Sequence, residues 1–160
     1  KRASCLVNPR ACHETKLIYR QVSKAKKIAV VGAGPAGLAT AVVAAERGHK
    51  VTLFEGRAEI GGQFNYASKI PGKEEFRETI RYYETMLAKY NVELKLNHTV
   101  TEDELRNGGF DDIVVASGVA PRMPNMPGIL IKIYWRIILS WVVRLRLWEP
   151  VVLVSMWVNI

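Results

Sequence analysis

Cysteine is nearly absent from this 160-residue chain: Cys5 and Cys12, both near the start, are all there is. Two thiols at one end cannot staple a domain of this size, which excludes a disulfide framework and leaves a reducing, cytoplasmic setting as the expectation. No apolar leader precedes them, and the chain opens on Lys1-Arg2-Ala3 without a Met, so it is expected to begin inside a longer protein. A run of about 20 uncharged apolar residues, the length of a membrane span, is also missing. The most apolar stretch, 129–160, is broken by Lys132, Arg136, Arg144, Arg146, Glu149 and Pro150, so no span is expected there.

The formal charge of +8 would suit a nucleic-acid reader, but the positive charge is in the wrong place. Residues 1–27 hold eight basic residues and one acidic; 28–128 hold eleven basic and thirteen acidic; 129–160 hold four basic and one acidic. The folded middle is therefore slightly acidic. A nucleic-acid-binding module carries its basic patch on itself, so that class is set aside.

What the chain does have is Lys26–Gly37, K-K-I-A-V-V-G-A-G-P-A-G. Ile28–Val31 is a short apolar run with no polar face, the pattern of a buried parallel strand. Gly32 allows a tight turn, Gly34 removes a side chain that would block phosphates, and Gly37 lets the next helix pack on the strand. Pro35 suits a first helical turn. The helix is expected to run to about Arg47 and stop at Gly48. Val51–Phe54 reads as a second strand ending at Glu55, 23 residues after Gly32. A carboxylate there accepts hydrogen bonds from ribose hydroxyls and repels a 2′-phosphate, which disfavours NADP at this turn. Strand, glycine turn, helix and acid together make a dinucleotide site, where the glycines alone would not. Gly61-Gly62-Gln63 then brings a second glycine pair toward the same pyrophosphate; the doublet resembles FAD sites of the disulfide-reductase-like superfamily rather than NAD sites of dehydrogenases, and that resemblance implies FAD.

The rest of the middle supports one α/β unit, a Rossmann-like domain with a parallel sheet and flanking helices. Phe76, Ile80, Tyr83, Leu87 and Tyr90 form a helical stripe within 73–90, expected to be core rather than cofactor-stacking. Arg77 and Arg81 are expected to be solvated. Val92–Leu96 alternates as a third strand. His98 is expected to be a loop histidine rather than a catalytic base. Thr101 followed by Glu102-Asp103-Glu104 marks a helix start. Ile113–Val115 reads as another buried strand, and Ala116-Ser117-Gly118 after it is small enough to pass beneath a dinucleotide. Residues 1–25 have no sustained period and read as an extended connector with a turn at Asn8-Pro9. Cys5, Cys12 and His13 match no closed zinc spacing. Ordinary thiols, or a cluster ligand with partners upstream, both remain open on spacing alone.

In order along the chain, S-C-L-V-N-P-R-A-C-H-E-T, A-V-V-G-A-G-P-A-G-L-A, V-T-L-F-E, E-I-G-G-Q-F-N, I-P-G-K-E-E-F, L-K-L-N-H-T-V and A-S-G-V-A-P-R resemble the flavin/iron–sulfur oxidoreductases. These are the relatives of trimethylamine dehydrogenase, and among them the bacterial-type NADPH-dependent 2,4-dienoyl-CoA reductases. The resemblance covers about Ala3 to Asn125. It implies that Gly32, Gly34, Ala36, Gly37, Glu55, Gly62, Gln63, Arg81 and Val100 contact FAD. It implies that Cys5 is the last of four thiolate ligands of a [4Fe–4S] cluster whose other three lie upstream, and that Cys12 is not a ligand. In the parent, electrons would pass from NADPH to FAD, the cluster, FMN and a dienoyl-CoA; the FMN and acyl-CoA sites belong to a barrel this chain lacks. No catalytic residue is expected here. The same resemblance leaves a related amine dehydrogenase or enoate reductase open.

The domain is accordingly expected to be partial, over 26–128. The tail, 129–160, reads as out-of-frame translation. One permitted coding of Trp148–Ile160, read two bases later, yields G-A-G-G-I-G-F-D-V-G-E-Y, a glycine turn resembling an NADPH site of that family. An alternative from another class is a non-catalytic module whose hydrophobic tail binds a membrane or partner.

Overall fold

The computed structural model describes residues 3, 5, 7, 8 and 10–119. The sequence-based expectations for the tail and for Pro121-Arg122 lie outside the described residues.

The elements run β1 (Lys27–Val31), α1 (Pro35–Glu46), β2 (Lys50–Phe54), α2 (Phe64–Ala67), α3 (Phe76–Lys89), β3 (Glu93–Lys95), α4 (Glu102–Asn107) and β4 (Asp112–Val115). All strand pairs are parallel, in the order β3-β2-β1-β4. This is an α/β Rossmann-like fold, a parallel sheet with helices against it. Ile28 pairs with Val51 and Asp112, and Val31 with Phe54 and Val115. In a pleated sheet that register puts Ile28, Val30, Val51 and Leu53 on one face. Those four are buried in one cluster with Leu38 and Val42 of α1 and Tyr83 and Leu87 of α3.

Local chemistry sets the ends. α1 begins on Pro35 and closes in a paired C-terminal motif: Gly48 N donates to Ala45 O at 2.9 Å and His49 N to Ala44 O at 3.1 Å, the arrangement a glycine after the last turn permits. The Thr101 hydroxyl accepts from Glu104 N at 3.3 Å and caps α4. At the opposite edge of the sheet Asp111 clamps β4 to β1: Lys27 N donates to its carboxylate at 2.7 Å, and its own N–H donates to Lys27 O at 2.8 Å. The Lys26 ammonium adds a 2.8 Å pair with Asp112, which holds that amine above its usual range.

Two expectations need correction. β4 is not a buried strand: Ile113 is 44 % and Val115 71 % exposed. β4 ends the described sheet, and its side chains on the face away from α1 find no described cover. The α3 stripe does face the core: Tyr83 and Leu87 join it, and Ile80 and Tyr90 pack against it. Thr79, Tyr83 and Leu87 are buried, while Phe76, Ile80 and Tyr90 are only half-buried. Packing against α1 and α2 decides which side of a partly apolar helix faces in. The connector is not simply extended, because residues 8–17 fold into successive turns.

Candidate functional site

β1, β2 and β4 all deliver their C-terminal ends to one edge, and the strand order reverses between β1 and β4. That reversal opens a crevice above the sheet, the usual ligand position in such folds. The Gly32–Gly37 turn sits at this point.

The turn is held by backbone. Gly32 N donates to Phe54 O at 2.7 Å, and the residue adopts φ +102°, which a side chain disfavours. A Cβ at Gly32 would lie 2.4 Å from Ala116 O, and one at Gly37 would lie 1.8 Å from Gly32 O. Both positions are closed to any side chain by neighbouring backbone. Gly34 differs: a Cβ there would meet nothing within 4 Å. Its missing side chain therefore leaves open space at the start of α1.

That helix end is electrostatically unfinished. Gly34 is its N-cap with no side-chain cap, and the first turn holds no acid. Leu38 N donates to Gly34 O, whereas the N–H groups of Ala36 and Gly37 have no acceptor among the described residues. Uncapped N–H groups at the positive end of a helix dipole suit a phosphate. Ala36 is exposed there and Gly37 buried.

Two further segments close on the turn. Glu55 accepts from Ala33 N at 2.8 Å through one carboxylate oxygen and from Arg57 N at 3.0 Å through the other. It is thereby aimed at the mouth of the turn, only half-buried. Gly61 N donates to Ala33 O at 2.8 Å, and a Cβ on Gly62 would lie 3.0 Å from Gly34 Cα. The second glycine pair is thus packed on the first. Gln63 follows it, exposed, as the N-cap of α2. The loop leading to Val100 lies beside the loop after Glu55: His98 N donates to Glu55 O and Asn97 N to Arg57 O, both at 2.9 Å. The residues present fit a dinucleotide.

A match to the model for the pyridine nucleotide-disulphide oxidoreductases spans residues 26–143. The chain belongs to that family. Among curated relatives, it is 35 % identical over 125 residues to the cinnamate reductase of Clostridium sporogenes, covering 78 % of this chain and 19 % of that protein. It is 40 % identical over 102 residues to the N,N-dimethylglycine/sarcosine dehydrogenase of Chromohalobacter salexigens, covering 64 % and 15 %. Among solved structures, a 2-naphthoyl-CoA reductase complex superposes with a TM-score of 0.74 at 38 % identity, covering 89 % of this chain and 22 % of the other. The chain thus spans about a fifth of the length of such relatives.

For this family member the remaining expected site residues fall in two groups. Arg81 lies exposed on α3 and pairs with Glu78, one turn earlier, rather than with any residue of the turn. Cys5 is exposed, and its sulfur accepts from Asn8 N at 3.4 Å. The N–H groups of Asn8 and then Val7 hold the Cys5 thiol below its usual range, which favours the thiolate. Among the described residues no three of His, Cys, Asp and Glu gather as metal ligands. No helix among them is long and apolar enough to cross a membrane. His98 is half-buried, hydrogen-bonded to Glu104 at 2.8 and 2.9 Å, and lies 5.5 Å from the Phe54 ring. Sequence reasoning missed the contact of Ala116 with Gly32. The only hint was the small-residue run at the end of β4.

Proposed function

We propose that the chain is the FAD-binding part of a flavin-dependent oxidoreductase whose parent passes electrons from NADPH through FAD, a [4Fe–4S] cluster and FMN to a 2,4-dienoyl-CoA. One observation carries the FAD half of this reading: open space at Gly34, two acceptor-less N–H groups at an uncapped helix end, and a carboxylate converge at one crevice. FAD, when bound, supplies exchange between a two-electron donor and one-electron carriers.

The chain's own part is to bind and orient. Ala36 and Gly37 donate N–H groups to the pyrophosphate. Gly32, Gly34 and Gly62 admit it. Glu55 has lone pairs left to accept ribose hydroxyls while keeping its bond to Ala33 N. Gln63 and Val100 flank the two ends, and Arg81 reaches the cofactor only by leaving Glu78. Cys5 donates one thiolate, the other three ligands coming from the parent's preceding segment. NADPH, FMN and the acyl-CoA bind elsewhere in the parent. The domain is taken as 26–128, entered by a 1–25 connector, with 129–160 read from a shifted frame.

The acyl-CoA assignment draws support from two relatives, a 2-naphthoyl-CoA reductase and a cinnamate reductase. An amine dehydrogenase is the second reading. It is favoured by the 40 % identity to the N,N-dimethylglycine/sarcosine dehydrogenase and by a histamine dehydrogenase structure at TM-score 0.68.

The test is direct. The 160-residue chain is mixed with FAD, desalted, and its flavin absorption and thermal melt recorded. Retained flavin and a raised melting point are expected; neither appearing sinks the FAD assignment. The chain alone is expected to show no NADPH-dependent reduction of a dienoyl-CoA. The transcript around the Gly128 codon tests the shifted frame: bases that cannot encode the glycine turn rule it out.

A further inference from the structure

The connector is bound to one end of α1 more thoroughly than a tether requires. Gln21 Nε2 donates to Glu46 O at 2.6 Å, and Val22 N to Arg47 O at 2.9 Å. Arg47 Nε donates back to Arg20 O at 3.3 Å, and Lys26 N donates to His49 Nδ1 at 3.1 Å. Every one of these partners lies between Glu46 and His49, at the C-terminal end of α1.

Farther upstream, one side chain makes two contacts. The Arg10 guanidinium pairs with Glu46 at 3.3 Å and lies over the Tyr19 ring, 4.9 Å from its centroid. The Arg10 and Glu46 side chains are 33 % and 23 % exposed, so solvent screens the pair less than it would on an open surface. Turns from Asn8 to Leu17 shorten the chain between these points. Beneath them, a cavity of about 370 Å³ is lined by Glu14, Tyr19, Val42, Tyr82, Met86 and Tyr90, from the connector and both long helices. A flexible segment of some 20 residues would instead spread its ends over about 25 Å.

We infer that Arg10 is a latch: through Glu46 and Tyr19 it fixes the connector to the C-terminal end of α1, so that Cys5 holds a set position relative to the Gly32–Gly37 turn at that helix's other end. The residue type fits, since a planar guanidinium can pair with a carboxylate and stack on a ring at once, and an ammonium does the two less well. α1 is a rod of about 18 Å by its residue count. The role of such a latch rests on the reading above, in which a cluster at Cys5 exchanges electrons with a flavin at the turn. A transfer of that kind needs a constant separation, and Arg10 is a positioning residue for it.

The test uses the whole chain without FAD. Spin labels are placed at Cys5 and at a Glu84→Cys site on α3, with Cys12→Ser to leave one label at each end. A single narrow distance distribution is expected. Arg10→Ala and Glu46→Gln should each widen it about twofold, toward the spread of a free segment, and Arg10→Lys should restore part of the narrowing. Amide exchange at Val22 should rise about fivefold in both variants, as the opening of a partly exposed ion pair allows, with exchange at the buried Leu53 unchanged. A broad distribution in the unaltered chain overturns the latch. So does a distribution that both variants leave narrow, or a loss of Leu53 protection, which would make Arg10 a general stability residue. FAD titration of the same proteins separates the two readings: flavin binding that fails in every form sinks the cofactor assignment and leaves the distance result standing.

Discussion

The two faces of the sheet are finished to different degrees. Under α1 and α3, Ile28, Val30, Val51 and Leu53 are all buried. On the other face Ala29 and Phe54 are buried, yet along β4 Ile113 and Val115 stand open. Among the described residues, β1 is covered on both sides and β4 on one. The site follows the finished part: Gly32, Glu55 and Gly61 are braced by hydrogen bonds to Phe54, Ala33 and Arg57, which β1, β2 and their loops supply. Stability and cofactor geometry therefore come from the same half of the domain, and the β4 side contributes mainly Ala116, just after the strand, which closes the floor of the turn.

Substitutions can break this contrast, beginning where it is sharpest. Gly37→Val drives a side chain into the Gly32 carbonyl, a backbone atom that cannot step aside, and should cost more than about 4 kcal/mol, leaving no cooperative melt by circular dichroism. Leu53→Ala, in the covered face, should lower stability by about 3 kcal/mol in a denaturant titration. Gly34→Val should cost the FAD-free chain only about 1 kcal/mol, the loss of a glycine N-cap, since a Cβ there meets nothing within 4 Å. Retained flavin absorption should nonetheless be lost, and a variant that still held flavin would remove Gly34 from the site. Val115→Thr, on the open face, should shift the melt least, by no more than about 0.5 kcal/mol. A cost near that of Leu53→Ala would mean that β4 is covered after all.

Much of the fold was legible because its signals are local. The Ile28–Val31 run, Pro35 at a helix start, Gly48 at its end and the Thr101 cap each act within a few residues, and each appears in the structure. α2 was not legible, because a four-residue helix has no period to detect. The burial of Thr79 on α3 was not legible either: a polar residue beside the apolar stripe gives no inward signal, and only its neighbours bury it. The connector looked featureless because its partners are 23 or more residues away, at and just after the end of α1.

At the site the division is similar. Glycine spacing and the acid after β2 identified the turn, because close backbone approach and ribose recognition restrict residue type at given positions. Sequence could not say that Gly61 bonds to Ala33, that Ala116 closes the floor under Gly32, or that Arg81 faces Glu78. Those relations depend on which strands neighbour each other and on how helices settle against the sheet. The sequence by itself determined that an α/β unit with a phosphate-admitting turn must form, through short-range periodicity and the steric demands of three glycines. Only tertiary structure decided what the turn is built against, how the connector meets α1, and which side of β4 stays open. The physical reason is that such contacts form between segments tens of residues apart, where no local pattern in the chain encodes the partner.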